Sequence, residues 1–301
     1  IKSKIKNINN EKICGFVGDL TNMETGFIFK EFFERTLDNK NYESRTSNSF
    51  IDCSARENYL FNSKINGIEE ADLILLIGAN PRFEATIVNA RIRKAFLNNN
   101  TEIISLNDVG DLTYPYEILD GKTQTIKDIF EKNNDLSKKI TDSKKPMIIL
   151  GESFLKIDSA KYLFHSLKKF LFESNKFTDE WNPLNILSTD AATVGNFDLE
   201  IINLNNDLFK DLYENKFELV YLLGQDNLEF NKKDEFVIYQ GSHGDKGAEI
   251  ADIILPGSAY TEQSGHYTNL EGKIQKAYKA SYPPGQAKED WQIINDLAEI
   301  M

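Results

Sequence analysis

Short apolar runs alternate with amphipathic segments along most of the 301-residue chain, and several of the runs end at or near a glycine. The runs at 13–17, 73–77, 147–150, 219–223 and 236–239 consist mainly of aliphatic and aromatic residues. Such runs predict strands that are buried on both faces, as in a parallel sheet covered by helices. A glycine at a strand end permits the tight turn into the next helix. The pattern therefore predicts an α/β fold with right-handed parallel crossovers.

The clearest strand–helix–strand unit covers residues 73–106. Asn80 is a favourable helix N-cap, and Pro81 stands at the first helical position, where its missing N–H costs nothing. Apolar residues then recur at every fourth position from Val88 to residue 96, which predicts one buried helix face. Residues 101–106 are predicted to form the returning strand.

The polar, lysine-rich segment 133–146 predicts a boundary between two lobes. The first α/β lobe would contain residues 1–145 and the second residues 146–301. The second lobe includes two predicted helices, at 159–172 and 288–301. The stretch 173–198 between them is weakly patterned and is expected to be a loop or a short helix.

Composition excludes several classes of function. The net charge is −12 and no basic stripe is present, which argues against a nucleic-acid partner. The longest apolar run, residues 71–79, is interrupted by Asp72 and is far shorter than the roughly 20 residues of a membrane helix. No signal peptide is visible, and two cysteines in a chain of this length favour a reducing compartment.

The residues that usually bind metals are few and scattered. An iron–sulfur cluster needs about four thiolates, and only Cys14 and Cys53 are available. Structural zinc also needs four ligands, and His165, His243 and His266 have no paired spacing. Cys14 lies in a predicted strand and is expected to be buried as a small apolar residue. The sequence therefore predicts no metal ligand.

The turn at residues 78–80 is a candidate anion site, because backbone N–H groups point outward at a helix start. Asn80 is expected to accept those N–H groups itself as the cap, which would leave the turn purely structural. The GxGxxG signature of dinucleotide-binding turns is absent here, and so is a Walker A sequence.

The loop at residues 241–247 contains glycines at intervals of three together with Ser242, His243 and Asp245. These residues are too close in sequence to form the line of nucleophile, base and orienting carboxylate that hydrolysis requires. We interpret the loop as a glycine-rich connection with a hydrogen-bonded histidine.

Several segments, spread over nearly the whole chain, resemble the largest iron–sulfur subunit of respiratory complex I. The strongest include ANPRFEAT and NARIRK, within residues 69–96, and the strand and polar segment at 248–275. The resemblance is limited to the carboxy-terminal, molybdopterin-oxidoreductase-like portion of that family. It implies parallel-sheet, Rossmann-like lobes of the formate dehydrogenase and DMSO reductase type, without cofactor. The family's iron–sulfur ligands belong to an amino-terminal portion that has no counterpart among these residues. The other similar segments are 16–20, 58–68, 111–119, 144–153, 236–247 and 283–300.

Cys53 is a candidate metal ligand on the ground of resemblance, because DCSAR at 52–56 is similar to the loop whose cysteine binds molybdenum in formate dehydrogenases. In those enzymes a long, glycine-rich connection follows the loop. Here only a short link, residues 56–70, leads to the next strand, without a histidine. A partly buried structural thiol is the interpretation that we prefer.

The segment 262–275, EQSGHYTNLEGKIQ, is the most specific motif of the chain. The similar pattern in molybdopterin oxidoreductases closes over the cofactor, but Lys273 replaces the usual arginine, which weakens a bidentate contact. The motif also suits an inherited folding element within the second lobe, and this is the expectation that we adopt. Gly265, Asn269, Glu271 and Gly272 are the residue types that make or support tight turns.

The resemblance implies a structural part of the peripheral arm of NADH:ubiquinone oxidoreductase. It implies no catalytic, cofactor-binding or metal-ligating residue in this chain, since the iron–sulfur centres are carried on other segments or chains. The expected partners are other peripheral-arm subunits, including an amino-terminal iron–sulfur portion or chain. The expected location is the matrix side of the mitochondrial inner membrane or the cytoplasmic face of a bacterial membrane.

Two other functions stay open. The first is a catalytic molybdopterin oxidoreductase fragment acting on formate or a similar small substrate, which would use Cys53 as a metal ligand. The second is an independent α/β protein that binds a phosphate-bearing ligand through the loop 241–247.

Overall fold

The computed structural model describes residues 1–131, 134–204 and 208–301. Its central strands are short and fully buried, as the apolar runs predicted. In chain order the strands are β1 (Ile13–Val17), β2 (Tyr42–Glu43), β3 (Leu73–Ile77), β4 (Glu102–Leu106), β5 (Glu117–Leu119), β6 (Pro146–Gly151), β7 (Leu184–Leu187), β8 (Leu219–Leu223), β9 (Phe236–Gly241), β10 (Ile253–Pro256), β11 (Gly265–Thr268) and β12 (Ile274–Ala277).

The helices range from single turns to 14 residues. The predicted helices at 159–172 and 288–301 are present as α8 and α12, and the weakly patterned stretch 173–198 contains β7 and α9. In chain order the helices are α1 (Lys2–Ile5), α2 (Met23–Glu31), α3 (Pro81–Glu84), α4 (Thr86–Asn99), α5 (Thr123–Glu131), α6 (Asp135–Asp142), α7 (Glu152–Leu155), α8 (Ala160–Glu173), α9 (Thr193–Asp198), α10 (Leu208–Tyr213), α11 (Lys246–Glu249) and α12 (Asp290–Ile300).

The chain folds into two units, each built around its own sheet. Unit 1 is assembled from three separate stretches of chain, whereas unit 2 is one long stretch joined by three residues from a hairpin tip. Unit 1 contains Ile1–Asn48, Asp190–Asn269 and Lys273–Met301, and unit 2 contains Ser49–Thr189 and Leu270–Gly272.

The sheet of unit 1 has the order β10-β9-β8-β1-β2, and every neighbouring pair is parallel. Alternate residues of β1 enter different cores. Ile13 and Val17 pack on the face covered by α2 and α12, while Cys14 and Phe16 pack on the face covered by α10. Both faces of the central strands are therefore buried, which explains their unbroken apolar sequences. A separate antiparallel hairpin, β11–β12, also belongs to this unit.

The sheet of unit 2 has the order β5-β4-β3-β6-β7 and is likewise parallel throughout. Leu73 and Leu75 of β3 pack against α5, α6 and α8, whereas Ile74 and Leu76 pack against α4. Among all residues that the structure describes, no helix is long and apolar enough to cross a membrane.

The observed units differ from the predicted lobes 1–145 and 146–301. A boundary at 145/146 would separate β3 from β6, yet these strands pair from Leu73 opposite Pro146 to Ile77 opposite Leu150. The polar segment 133–146 instead connects elements of one unit and includes α6. Its residue 133 lies outside the described residues. A polar surface connection within a unit has the same composition as a linker between units, so composition alone could not distinguish them.

Candidate functional site

A cleft of about 320 Å³ opens at the carboxyl ends of β1, β8 and β9 in unit 1. Ligands of open α/β sheets bind at this edge, because the loops that leave the strands meet there. Each of these three strands is followed by an aspartate that lines the cleft, and α12 adds a fourth near its start. They are Asp19, Asp226, Asp245 and Asp290.

Two glycines allow the strand-end loops of the cleft to approach each other closely. A Cβ on Gly18 would lie 1.8 Å from the carbonyl oxygen of Gly224. Gly224 itself has a φ of +57°, which favours glycine because other residues are strained there. The glycine turns predicted after β1 and β8 therefore bring Asp19 and Asp226 to the same place.

The electrostatic character of the cleft is acidic. Of the described residues that line it, four are aspartates and none is a lysine or arginine. Burial and, to a smaller extent, the charge of Asp226 raise the pKa of Asp19 above its usual range. Burial likewise raises the pKa of Asp290. Asp19 and Asp290 thus lie in surroundings that disfavour additional negative charge.

Most hydrogen-bonding groups of the cleft are engaged within the protein. Asp226 accepts hydrogen bonds from the Tyr239 hydroxyl at 2.9 Å and the Gly247 N–H at 3.1 Å. Asp290 accepts from the side-chain amides of Gln240 and Gln263, each at 2.9 Å. These bonds fix the loop after β9 and the start of α12. The buried atoms left without a partner include Ser258 Oγ and Gln263 Oε1, and the latter can only accept a hydrogen bond.

The loop 241–247 brings only two of its three candidate residues together. Ser242 Oγ lies 2.8 Å from His243 Nδ1, so the histidine is hydrogen-bonded as predicted. Asp245 is the N-cap residue of α11, and among the described contacts none joins it to His243. The chain geometry therefore leaves the orienting carboxylate out of reach of the imidazole, and the arrangement lacks the third member that hydrolysis requires.

The turn at residues 78–80 in unit 2 is closed by the protein's own groups. Gly78 has a φ of +61°, and a Cβ there would lie 2.5 Å from the backbone nitrogen of Phe154. The N–H of Asn80 donates to Glu84 Oε2 at 2.9 Å, so a carboxylate already occupies the anion position. Burial, with a further contribution from Glu152, raises the pKa of Glu84.

The prediction that Asn80 caps the helix through its side chain was wrong. Its Nδ2 donates instead to the carbonyl of Val109 at 3.0 Å, and its Oδ1 is buried without a partner. The predicted helix also divides into α3 and α4, because Ala85 adopts φ −154° and ψ 75°. The hydrogen bond to Val109 thus orients the side-chain amide of Asn80 so that its oxygen does not cap the helix.

The two cysteines and three histidines are dispersed. Cys14 is fully buried in β1, as predicted, and burial raises the pKa of its thiol. Cys53 is half-buried. His165 and His266 lie beside carboxylates of Asp52 and Glu24, respectively. In residues 1–131, 134–204 and 208–301, no three histidine, cysteine or acidic side chains are grouped so that they could hold a metal.

The segment 262–275 makes contacts that stabilise the fold. Asn269 and Lys273 exchange hydrogen bonds at the hairpin tip, from the Asn269 N–H to the Lys273 carbonyl at 3.0 Å and from the Lys273 N–H to Asn269 Oδ1 at 2.9 Å. Glu271 Oε1 accepts from the Ile65 N–H at 2.6 Å. Gly272 has a φ of +76°, and its carbonyl accepts from Arg56 at 2.8 Å. The residues singled out in the sequence therefore support a hairpin and its tip.

These residues do not fit the pterin dinucleotide that the resemblance implies for catalytic relatives. Phosphate groups need N–H donors or cations. The cleft of unit 1 offers aspartates, and the turn after β3 in unit 2 already holds the carboxylate of Glu84. Sequence reasoning missed the cleft aspartates, although the pairing of strand, glycine and aspartate at 18–19 and 224–226 was available as a signal.

Comparisons with known proteins agree with this fold. A family model described as molybdopterin oxidoreductase matches residues 1–300. The NADH-ubiquinone oxidoreductase 75 kDa subunit of Reclinomonas americana is 38% identical over 97% of this chain and 44% of its own length. A subunit of the NADH-quinone oxidoreductase of Rickettsia bellii is 39% identical over 100% of this chain and 43% of its own length. The chain thus spans less than half of these relatives.

A solved structure is similar in fold. Acetylene hydratase from Pelobacter acetylenicus superposes with a TM-score of 0.52 at 12% identity, covering 99% of this chain and 57% of that protein. The prediction of parallel-sheet lobes of the formate dehydrogenase and DMSO reductase type is confirmed by this likeness together with the family match. The chain belongs to the molybdopterin oxidoreductase family and is similar to the carboxy-terminal part of the largest iron–sulfur subunit of complex I.

Proposed function

We propose that this chain is a structural, cofactor-free part of the peripheral arm of an NADH:quinone oxidoreductase. The observation that carries the proposal is its identity of 38–39% with the 75 kDa subunit of Reclinomonas americana and the corresponding subunit of Rickettsia bellii, over essentially all of its length. In this role the chain supports electron transfer from NADH to quinone through iron–sulfur centres held on other segments or chains. The enzyme activity belongs to the assembly.

We further propose that no residue of this chain carries out catalysis or binds a metal or pterin. Three features support this part of the proposal. The cleft of unit 1 is acidic, the turn after β3 is filled by Glu84 and Phe154, and Asn269 and Glu271 are engaged in holding a hairpin. The aspartates of the cleft disfavour the phosphates of a pterin dinucleotide, and the other two features use for folding groups that a cofactor would need.

The proposed partners are the other peripheral-arm subunits, including an amino-terminal iron–sulfur portion or chain. The proposed location is the matrix side of the mitochondrial inner membrane, with the cytoplasmic face of a bacterial membrane as the alternative. The relatives that support it are named as mitochondrial or bacterial subunits.

Native electrophoresis of detergent-solubilised membranes, followed by an NADH dehydrogenase stain and mass spectrometry of the bands, tests the proposal. We expect this chain in the large band that oxidises NADH, together with a polypeptide rich in cysteine. A chain that migrates alone would contradict membership of the assembly.

Elemental analysis of the purified chain tests the absence of cofactor separately. We expect substoichiometric molybdenum, tungsten and iron, and no pterin fluorescence after oxidation. Stoichiometric molybdenum that is lost in the Cys53→Ser variant would instead support the catalytic oxidoreductase fragment. The matched control is Cys14→Ser, because the side chain of Cys14 is buried and cannot reach a ligand.

A further inference from the structure

A stretch of unit 1 has a charge opposite to that of the chain as a whole. Residues 273–288, which we call the Lys–Tyr strip, contain four lysines and no aspartate or glutamate, although the net charge of the chain is −12. The strip begins with β12 and continues to the residues before α12. Nearly all of its residues are exposed or half-buried. An acidic protein thus presents one continuous cationic surface segment.

The strip also exposes large apolar and aromatic side chains. Ile274 is 58% exposed, Tyr278 75% and Tyr282 76%. Lys276 Nζ lies 4.9 Å from the centre of the Tyr278 ring, and Lys279 Nζ lies 4.8 Å from that of Tyr282. Lysines placed over aromatic rings combine positive charge with apolar area. Exposed apolar patches that are rimmed by polar residues mark interaction surfaces.

The backbone of β12 offers an open strand edge. Among the described residues β12 pairs with β11 alone, and the hydrogen bond from the Asn269 N–H to the Lys273 carbonyl fixes which pairs are bonded. Because bonded and non-bonded pairs alternate in an antiparallel ladder, the N–H and C=O groups of Ile274 and Lys276 point outward. Such an edge is a template for another strand.

Lysines on an edge strand can also serve simply to prevent unwanted pairing. That role does not account for Ile274, which lies on the same side of β12 as Lys276 because side chains alternate along a strand. Nor does it account for Tyr278, one residue beyond β12, whose ring centre lies 4.9 Å from Lys276 Nζ. An edge protected only by charge would not place two exposed apolar side chains beside the charge. The surface that Ile274, Lys276 and Tyr278 form is therefore suited to a complementary strand, with a carboxylate opposite the lysine.

We propose that the outer edge of β12 binds an extended, acidic segment of a neighbouring subunit, which adds to the β11–β12 hairpin as a further strand. Backbone groups of Ile274 and Lys276 pair with the added strand. Carboxylates of that strand meet Lys273 and Lys276, which have no carboxylate partner in the described part of the chain. The inference rests on the proposed function, because the neighbouring subunit is a member of the same assembly.

Lysine acetylation measured by mass spectrometry tests the inference in the assembled complex and in the isolated chain. We expect Lys273 and Lys276 to react about tenfold more slowly in the complex, since ion pairing at an interface removes them from the reagent. Lys6 and Lys233 are exposed lysines of the same unit, and they serve as internal standards whose reactivity is expected to stay constant.

Charge reversal provides the second measurement. The Lys273→Glu/Lys276→Glu variant should enter the complex about tenfold less efficiently, because like charges would face each other across the interface. The Lys6→Glu/Lys233→Glu variant changes the net charge equally and should enter like the wild type. Circular dichroism of both variants verifies that they fold.

The outcomes separate this inference from the proposed function. Wild-type chain that enters the complex while Lys273 and Lys276 stay fully reactive, or a reversed variant that enters normally, overturns the inference alone. Wild-type chain that enters no complex overturns both. Slower acetylation of Lys273 and Lys276 but not of Lys6 and Lys233, together with poor entry of the reversed variant, supports the added acidic strand.

Discussion

The carboxyl ends of the two parallel sheets differ, although both sheets have five strands and glycine turns. In unit 2 the turn after β3 is occupied by the Glu84 carboxylate and the backbone of Phe154. In unit 1 a cleft of about 320 Å³ stays open and is lined by four aspartates. Neither end suits a phosphate-bearing ligand, one because it is filled and the other because it repels negative charge. The two sheet ends therefore disfavour a negatively charged ligand for two different physical reasons.

The largest loss of stability is expected when a side chain is added at Gly151, which lies at the closed carboxyl end of the sheet of unit 2. A Cβ on Gly151 would lie 2.2 Å from the carbonyl oxygen of Gly78 and 2.8 Å from the Cβ of Ala79. Gly151→Ala should therefore lower the free energy of unfolding by about 3 kcal/mol, because the backbone of a buried turn must move. Urea denaturation followed by circular dichroism measures the change.

The matched control for Gly151 lies in the open loop of unit 1. A Cβ on Gly244 would meet nothing within 4 Å, so Gly244→Ala should leave the urea midpoint unchanged. Equal midpoints for Gly151→Ala and Gly244→Ala would mean that the turn of unit 2 is not tightly closed.

The sequence predicted the strands and turns well because their signals are local. Five apolar residues followed by glycine, as at Leu73–Ile77 and Gly78, specify a buried strand and its exit. The side-chain partners were not predictable in this way. Asn80 follows the rule for a cap, yet its amide binds the carbonyl of Val109, 29 residues away. The aspartates of the cleft come from three strand-end loops and the start of α12, so the fold and not the local sequence places them together.

The next largest effect concerns a carboxylate of unit 2 that stabilises the fold. Asp72 accepts hydrogen bonds from the Ser143 hydroxyl and from the backbone N–H groups of Lys144, at 2.7 Å, and Lys145, at 2.9 Å. Burial alone would raise its pKa, but these bonds outweigh burial and lower it. Asp72→Ala should cost about 2 kcal/mol at pH 7, measured by urea denaturation.

The pH dependence of the Asp72 effect has a definite sign. A lowered pKa in the folded state means that the ionised carboxylate stabilises the protein above its unfolded pKa of about 4. That contribution is lost as the pH falls through the folded pKa. The difference between wild type and Asp72→Ala should accordingly shrink below about pH 4. A difference that stays constant from pH 7 to pH 3 would contradict a stabilising role for the charge.

A smaller loss of stability is expected from substitutions of Asn80, which test how the turn after β3 is stabilised. Asn80→Ala removes the bond to Val109 and should cost about 1 kcal/mol. Asn80→Asp should cost more than alanine, because its carboxylate would face the Val109 carbonyl and lie near Glu84. A helix cap would give the reverse order, since aspartate caps as well as asparagine. Thermal unfolding of the two variants decides between these arrangements.

The smallest change in stability is expected in the cleft of unit 1. It is a gain, whereas Asp72→Ala causes a loss. The pKa of Asp19 is raised by burial and by Asp226, so the ionised form of Asp19 destabilises the folded state. Asp19→Asn removes this charge and retains an oxygen that can accept from Asn227, whose Nδ2 lies 3.1 Å from Asp19 Oδ2. The variant should be more stable than wild type at pH 7 by a few tenths of a kcal/mol, given the screening by solvent.

The pH dependence of the Asp19 variant completes the contrast between the two units. As the pH falls below the folded pKa of Asp19, the wild-type carboxyl becomes neutral and its penalty disappears, fully so below the unfolded value of about 4. The stability advantage of Asp19→Asn should therefore be greatest at neutral pH and vanish in acid. The stability cost of Asp72→Ala should also shrink in acid, but there the wild type loses a stabilising charge instead of a destabilising one. If Asp19→Asn is instead less stable than wild type at pH 7, Asp19 is a stabilising carboxylate, and the cleft of unit 1 does not disfavour negative charge at that position.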